Sequence, residues 1–146
     1  MAIRLDGRHA LVTGGSRGIG RAVATALTQA GARVIISGRD AAALRDTVAS
    51  GAAAASFAAD ATDPQAMADG IRAAAPDGID ILIANAGGAE SRPFRKADAG
   101  HFRRMIDLNL MSVVHAAHAV LDGMVARKSG RVIAVASTAG LKGYPA

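Results

Sequence analysis

The sequence predicts a doubly wound α/β fold on a parallel sheet, and three features carry that prediction. Strand-like and helix-like segments alternate along the chain, the second strand is an unbroken apolar run, and a glycine-rich turn joins the first strand to the first helix. Such alternation favours right-handed strand–helix–strand crossovers. The run Val34-Ile35-Ile36 suits a strand buried on both faces, as parallel strands are. The turn, Thr13-Gly14-Gly15-Ser16-Arg17-Gly18-Ile19-Gly20, stands where ligands meet such sheets, beyond the carboxyl end of a strand.

The elements follow in order. Leu5-Asp6-Gly7 makes a turn ahead of a first strand from His9 to Val12. Apolar residues then recur at Ile19, Val23, Leu27 and Ala30, one face of a helix that Gly31 stops. Arg33 to Ser37 is the second strand. Asp40 caps a helix from about Ala41 to Ser50. Gly51 and the alanines after it hold a turn and a small-residue strand ending near Ala59. Asp63-Pro64 opens a third helix, to about Ala75, because Asp suits the cap and Pro the first turn. Asp80 to Ala84 is the fourth strand, and Ala86 to Arg95 is a loop rich in Gly, Ser and Pro. A long helix from Ala99 to Arg127 ends before Gly130, and Arg131 to Ala136 is the fifth strand. The expected strand order is 3-2-1-4-5.

Composition narrows the function classes. The 146 residues fit one domain, and 51% apolar with 20% charged residues suits a packed core. The net charge of +5 suits an anionic partner, but the basic residues are scattered and aromatics are scarce, which argues against a nucleic-acid binder. With no cysteine, disulfides and thiolate metal sites are excluded. The four histidines show no ligand constellation, so no metal is expected. The N-terminus lacks an apolar signal core, and no apolar stretch reaches the roughly 18 residues of a membrane span. A soluble, cytoplasmic protein that binds no membrane is expected.

The candidate site residues converge at the strand ends: Thr13, Arg39, Asp60, Asn85 and Ser137. Glycine lets bare backbone N–H groups approach a phosphate, and the following helix points its positive end at the same spot. Gly14, Gly18 and Gly20 thus read as a cradle for a dinucleotide pyrophosphate, or else as plain connection between strand and helix. Past the second strand, Ser37-Gly38-Arg39 offers no acid for a ribose 2′-OH, whereas Arg39, with Arg17 from the glycine loop, suits a 2′-phosphate. NADP(H) is therefore expected over NAD(H). The alternative is two solvated arginines. On their own, Asp60-Ala61 reads as a turn into a helix, Asn85-Ala86-Gly87 as a turn, Asn109 as a polar residue on a helix surface and Ser137 as a strand-end turn.

The loop from Thr13 to Gly20 closely resembles the cofactor loop of the short-chain dehydrogenase/reductase family, and the likeness continues segment by segment to Gly140. It implies that Ser16 and Ile19 join the glycines and Arg17 around the cofactor, with Ser37 and Arg39 on the adenosine side. It also implies that Asp60 and Ala61 touch the adenine and that Asn85, Ala86 and Gly87 back the nicotinamide. Ser137 matches the catalytic serine, and Asn109 the asparagine of the proton relay. The substrate implied is a small carbonyl or alcohol. The helix around 99–127, apolar almost all round, implies a homo-oligomer.

The family's Tyr-x-x-x-Lys pair is expected near position 150, beyond Ala146. Tyr144 is followed by Pro145 and Ala146 and cannot begin that motif, and neither Tyr144 nor Lys142 is given the role. The sequence is therefore expected to be a dinucleotide-binding domain incomplete at its C-terminal end. Its fifth strand would be a bare edge, making a free-standing version marginal. The alternative is a binding module or pseudoenzyme that holds NADP(H) without turnover.

Overall fold

A computed structural model describes residues 3–141, so Lys142 and Tyr144 lie outside the described residues. Five parallel strands form one sheet in the order β3-β2-β1-β4-β5, the order expected: β1 is His9–Thr13, β2 Arg33–Gly38, β3 Ala55–Ala58, β4 Ile81–Ala84 and β5 Arg131–Ala134. Ladder pairs such as Leu11–Ile35, Leu11–Leu82 and Ile83–Ile133 set the register. The helices are α1 (Gly18–Gln29), α2 (Ala41–Ala49), α3 (Pro64–Ala74), α4 (Ala99–Ile106) and α5 (Ser112–Ala126).

The alternation of side chains along each strand splits the core in two. Leu11, Ile35 and Leu82 face one way, packing with Met67 and Ile71 of α3 and Ala116, Val120 and Met124 of α5. Ala10, Val12, Val34, Ile36 and Ile83 face the other way, with Ala24 of α1 and Leu44 of α2. The unbroken apolar run in β2 is thus explained: both faces are covered.

The capping residues act where the sequence placed them. Asp40 accepts from the Ala42 and Ala43 N–H groups, and Asp63 from those of Gln65 and Ala66. Three expectations need adjusting. The loop after β4 runs into a short 3-10 turn, Phe94–Lys96. β5 ends at Ala134 rather than Ala136, although Val135 N–H still donates to Ala84 O at 3.0 Å. The long helix is broken in register by a π-helical segment, Asp107–Met111, between α4 and α5. The Asn109 Nδ2 donates to the Met105 carbonyl at 3.0 Å and the Ser112 hydroxyl to the Leu108 carbonyl at 2.6 Å, so side chains take carbonyls that the ladder would otherwise use.

The expectation that no stretch is long and apolar enough for a membrane span also needs correcting. By length and composition Ala99–Ala126 qualifies, with a windowed mean hydropathy of 1.3. The same helical run packs along the sheet and α3, burying Ala116, Val120 and Met124, so its apolar character has a use inside the fold.

Candidate functional site

The carboxyl ends of all five strands open onto one cleft of about 1830 Å³. That exceeds the roughly 300–1,000 Å³ of a pocket for one drug-sized molecule, leaving room for an extended ligand. Its floor is the turn between β1 and α1. Gly14 and Gly18 have φ of +66° and +54°, the left-handed region that glycine adopts freely. A Cβ at Gly20 would strike the Gly14 carbonyl oxygen and come within 2.6 Å of Asn85 Nδ2, so only glycine fits. Gly14, Ser16, Arg17, Ile19 and Gly20 line the cleft, whereas Gly18 is not part of the lining.

The start of α1 differs from those of α2, α3 and α4. An aspartate side chain caps each of those three, Asp98 serving α4. At α1 the cap position is Arg17, with no side-chain capping bond and no acidic residue in the first turn. First-turn N–H groups without a capping carboxylate, beside an exposed arginine and open to a cleft, have the chemistry to hold an anion.

At the β2 and β3 side, Ser37, Arg39, Asp60 and Ala61 line the cleft. Ser37 is buried, and its carbonyl accepts from Gly15 N–H at 3.1 Å. Arg39 is exposed and has no ion pair within 4 Å among the described residues. Hydrogen bonds from the Thr62 backbone N–H and hydroxyl hold the Asp60 carboxyl below the usual range, and the charge of Arg39 adds to this. Asp60 is thereby kept as an anion that orders its own turn.

At the β4 side, Asn85 braces the floor. Its Nδ2 donates to the Thr13 and Gly14 carbonyls at 3.0 and 3.2 Å, while Thr13 Oγ1 accepts the N–H groups of Asn85 and Ala86, both at 3.0 Å. Ala86 and Gly87 line the cleft beside it. Asn109 faces this loop from the π-helical segment: its Oδ1 accepts from Gly88 N–H at 3.1 Å and its Nδ2 donates to Gly88 O at 2.8 Å. Gly87 lies so near that a Cβ there would come 2.9 Å from Asn109 Oδ1. Ser137, past β5, lines the cleft and also accepts from Ala139 N–H at 3.1 Å, closing a 3-10 turn. Both readings of this serine, strand-end turn and site residue, are compatible with where it stands.

Apart from Thr13 and Gly18, every candidate site residue singled out from the sequence lines this one cleft. Sequence reasoning missed the wall formed by Glu90, Ser91, Phe102, Met105 and Ile106. Its residue types are ordinary for a loop and an amphipathic helix, and only the fold turns them toward the cleft. It placed Thr13 at the site but not its hydroxyl as the link from β1 to β4, and it missed Thr47, whose buried hydroxyl donates to the Ser16 carbonyl at 3.2 Å. No group of three or more His, Cys, Asp or Glu residues able to hold a metal occurs among the described residues.

Comparison with known proteins gives a consistent picture. A family model described as short chain dehydrogenase matches residues 8–146. A sorbitol dehydrogenase from Cereibacter sphaeroides is 39% identical over 146 residues, spanning 97% of this chain and 57% of its own. The crystal structure of a short-chain type dehydrogenase/reductase from Mycobacterium marinum superposes with a TM-score of 0.91 at 31% identity, covering 99% of this chain and 62% of that one. An NADP active-site complex of Pseudomonas aeruginosa RhlG gives 0.86 at 32% identity, covering 99% and 60%. The chain thus spans a little over half the length of each of these three relatives.

Proposed function

The chain belongs to the short-chain dehydrogenase family, and on that premise we propose that its residues are the NADP(H)-binding portion of an oxidoreductase acting on a small carbonyl or alcohol. The observation that carries the reading is the uncapped start of α1. Three other helices spend an aspartate on their first-turn N–H groups, and this one leaves them facing the cleft with Arg17 beside them. The glycine geometry fits the same ligand, because Gly14 and Gly20 keep side chains out of the cradle.

In this reading the backbone from Gly14 to Gly20 holds the pyrophosphate, with Ser16 and Ile19 against it. Arg17 and Arg39 take the 2′-phosphate, each charge-assisted hydrogen bond contributing about 1.5–3 kcal/mol. Ser37, Asp60 and Ala61 shape the adenosine end. Asn85, Ala86 and Gly87 back the nicotinamide, which when bound would give or take the hydride. The Ser137 hydroxyl hydrogen-bonds the substrate oxygen. Asn109 fixes the loop at Gly88 and so sets the wall against which the relay works. The exposed apolar residues Ile106, Leu110, Val114, Leu121 and Val125 along the α4–α5 run support a homo-oligomer formed through it.

The test is the pair of dissociation constants for NADPH and NADH, read from nicotinamide fluorescence. NADPH is expected to bind at least about tenfold tighter, the weight of one charge-assisted bond. Arg39→Ala is expected to bring the two constants together. Equal affinities in the unsubstituted protein overturn the NADP reading. NADPH binding without carbonyl reduction in the full-length protein favours a module that holds the cofactor without turnover.

A further inference from the structure

The loop of residues 86–93 forms one wall of the cleft, and it is tied to the α4 side at two points. The first is the pair of hydrogen bonds between Gly88 and Asn109. At the second, Glu90 Oε2 lies 3.5 Å from His101 Nδ1 and 3.6 Å from Arg104 Nη2.

His101 is the odd member of this group. Its side chain is 7% exposed, and its Nδ1 is the one buried side-chain nitrogen or oxygen among the described residues without a hydrogen-bond partner. Native proteins rarely leave such an atom unmatched, because it loses its water and gains nothing in return. His101 itself is held in place: its N–H donates to Asp98 Oδ1 at 2.7 Å, and its ring packs edge-on against Phe102. The Glu90 side chain, half exposed on the loop and shared with Arg104, is the carboxylate that faces this nitrogen. Closing the gap to an ordinary hydrogen bond takes a shift of only a few tenths of an ångström, roughly the difference from the usual 2.7–3.2 Å.

We propose that His101 is a positioning residue: through Glu90 it latches the cleft wall 86–93, and its protonation tightens the latch. The charged groups around it set the sign. The acidic Glu90 and Asp98 face it, with Arg104 beside Glu90 and both Arg104 and Arg92 near Asp98. Histidine changes charge between about pH 5 and 8, so the wall is held more firmly at the acid end of that range. The proposal rests on the cofactor reading of the cleft only for the ligand used as one readout.

Two measurements on the full-length protein decide it. The first follows the His101 ring and the Gly88 and Glu90 amides by NMR from pH 5 to 8. The amides are expected to shift together with the ring, and to lose that shift in Glu90→Gln and in His101→Gln. The second is NADH affinity at pH 6 and pH 8. NADH is used because the 2′-phosphate of NADPH itself titrates near pH 6. About three- to tenfold tighter binding at pH 6 is expected, and both substitutions are expected to flatten it. Because Glu90 is half exposed, Glu90→Gln keeps the test open where His101→Gln does not fold. Loop amides that ignore the ring titration overturn the latch, as does a pH dependence that survives both substitutions. If NADH does not bind at all, the cofactor reading fails while the amide titration still decides the latch.

Discussion

β2 and β5 carry nearly the same kind of sequence and meet opposite fates. Val34, Ile35 and Ile36 are at most 1% exposed, whereas Val132, Ile133 and Val135 are 44%, 50% and 42% exposed. β2 lies between β3 and β1, with helices over both faces, while among the described residues β5 pairs only with β4. An apolar β-branched run specifies a strand, but its burial is a property of its neighbours. The cleft inherits this asymmetry. The glycine turn rests on the well-covered side, where a Cβ at Gly15 would meet Ile36 Cγ2 at 2.5 Å, and Ser137 stands at the end of the exposed strand.

The largest expected effect tests that contrast directly. Ile36→Ala removes a fully buried side chain and is expected to cost about 2–5 kcal/mol, counting the cavity left behind. Ile133→Ala, already half in water, is expected to cost under about 1 kcal/mol. Urea midpoints at unchanged m-value measure both. Equal losses would mean that β5 is covered in solution, by a second copy or by chain outside residues 3–141.

A second contrast, between capped and uncapped helices, is smaller. Asp63→Ala is expected to cost about 1 kcal/mol, the usual weight of an N-cap. Arg17→Ala makes no capping bond to lose, so its stability is expected to stay within about 0.5 kcal/mol while NADPH binding weakens. The same urea series, run beside the fluorescence titration, separates the two. A stability loss at Arg17 matching that at Asp63 would give the arginine a structural use and weaken its assignment to a phosphate.

The sequence was readable wherever local chemistry and tertiary demand agree. The alternation of elements, the Asp40 and Asp63 caps and the buried run of β2 all follow from residue type and period, and the strand order follows with them. The glycine turn was readable because its residue types are costly anywhere else. Two features were not. The π-helical segment at Asp107–Met111 depends on which carbonyls Asn109 and Ser112 capture, and the pattern of apolar residues through it is that of an ordinary helix. The Glu90–His101 contact joins residues that only the fold brings together, and neither has a neighbour in sequence that marks it.

The smallest expected effect concerns which group commits Arg39. The Asp60 carboxyl is held low first by the Thr62 backbone N–H, then by the Thr62 hydroxyl, and only last by the charge of Arg39. A folded value below the unfolded one, about 3.9, means that the folded protein binds fewer protons. This stabilisation is full above that pH and disappears as pH falls through the folded value. It is slight, because the group is mostly exposed. Carboxyl titration by NMR is expected to show Asp60 rising more in Thr62→Ala than in Arg39→Ala. The reverse ranking would mean that Arg39 is already spent on Asp60, and a 2′-phosphate would then have to compete with a carboxylate for it. The order of two small shifts at the well-covered end of the cleft therefore bears directly on whether Arg39 can select a cofactor.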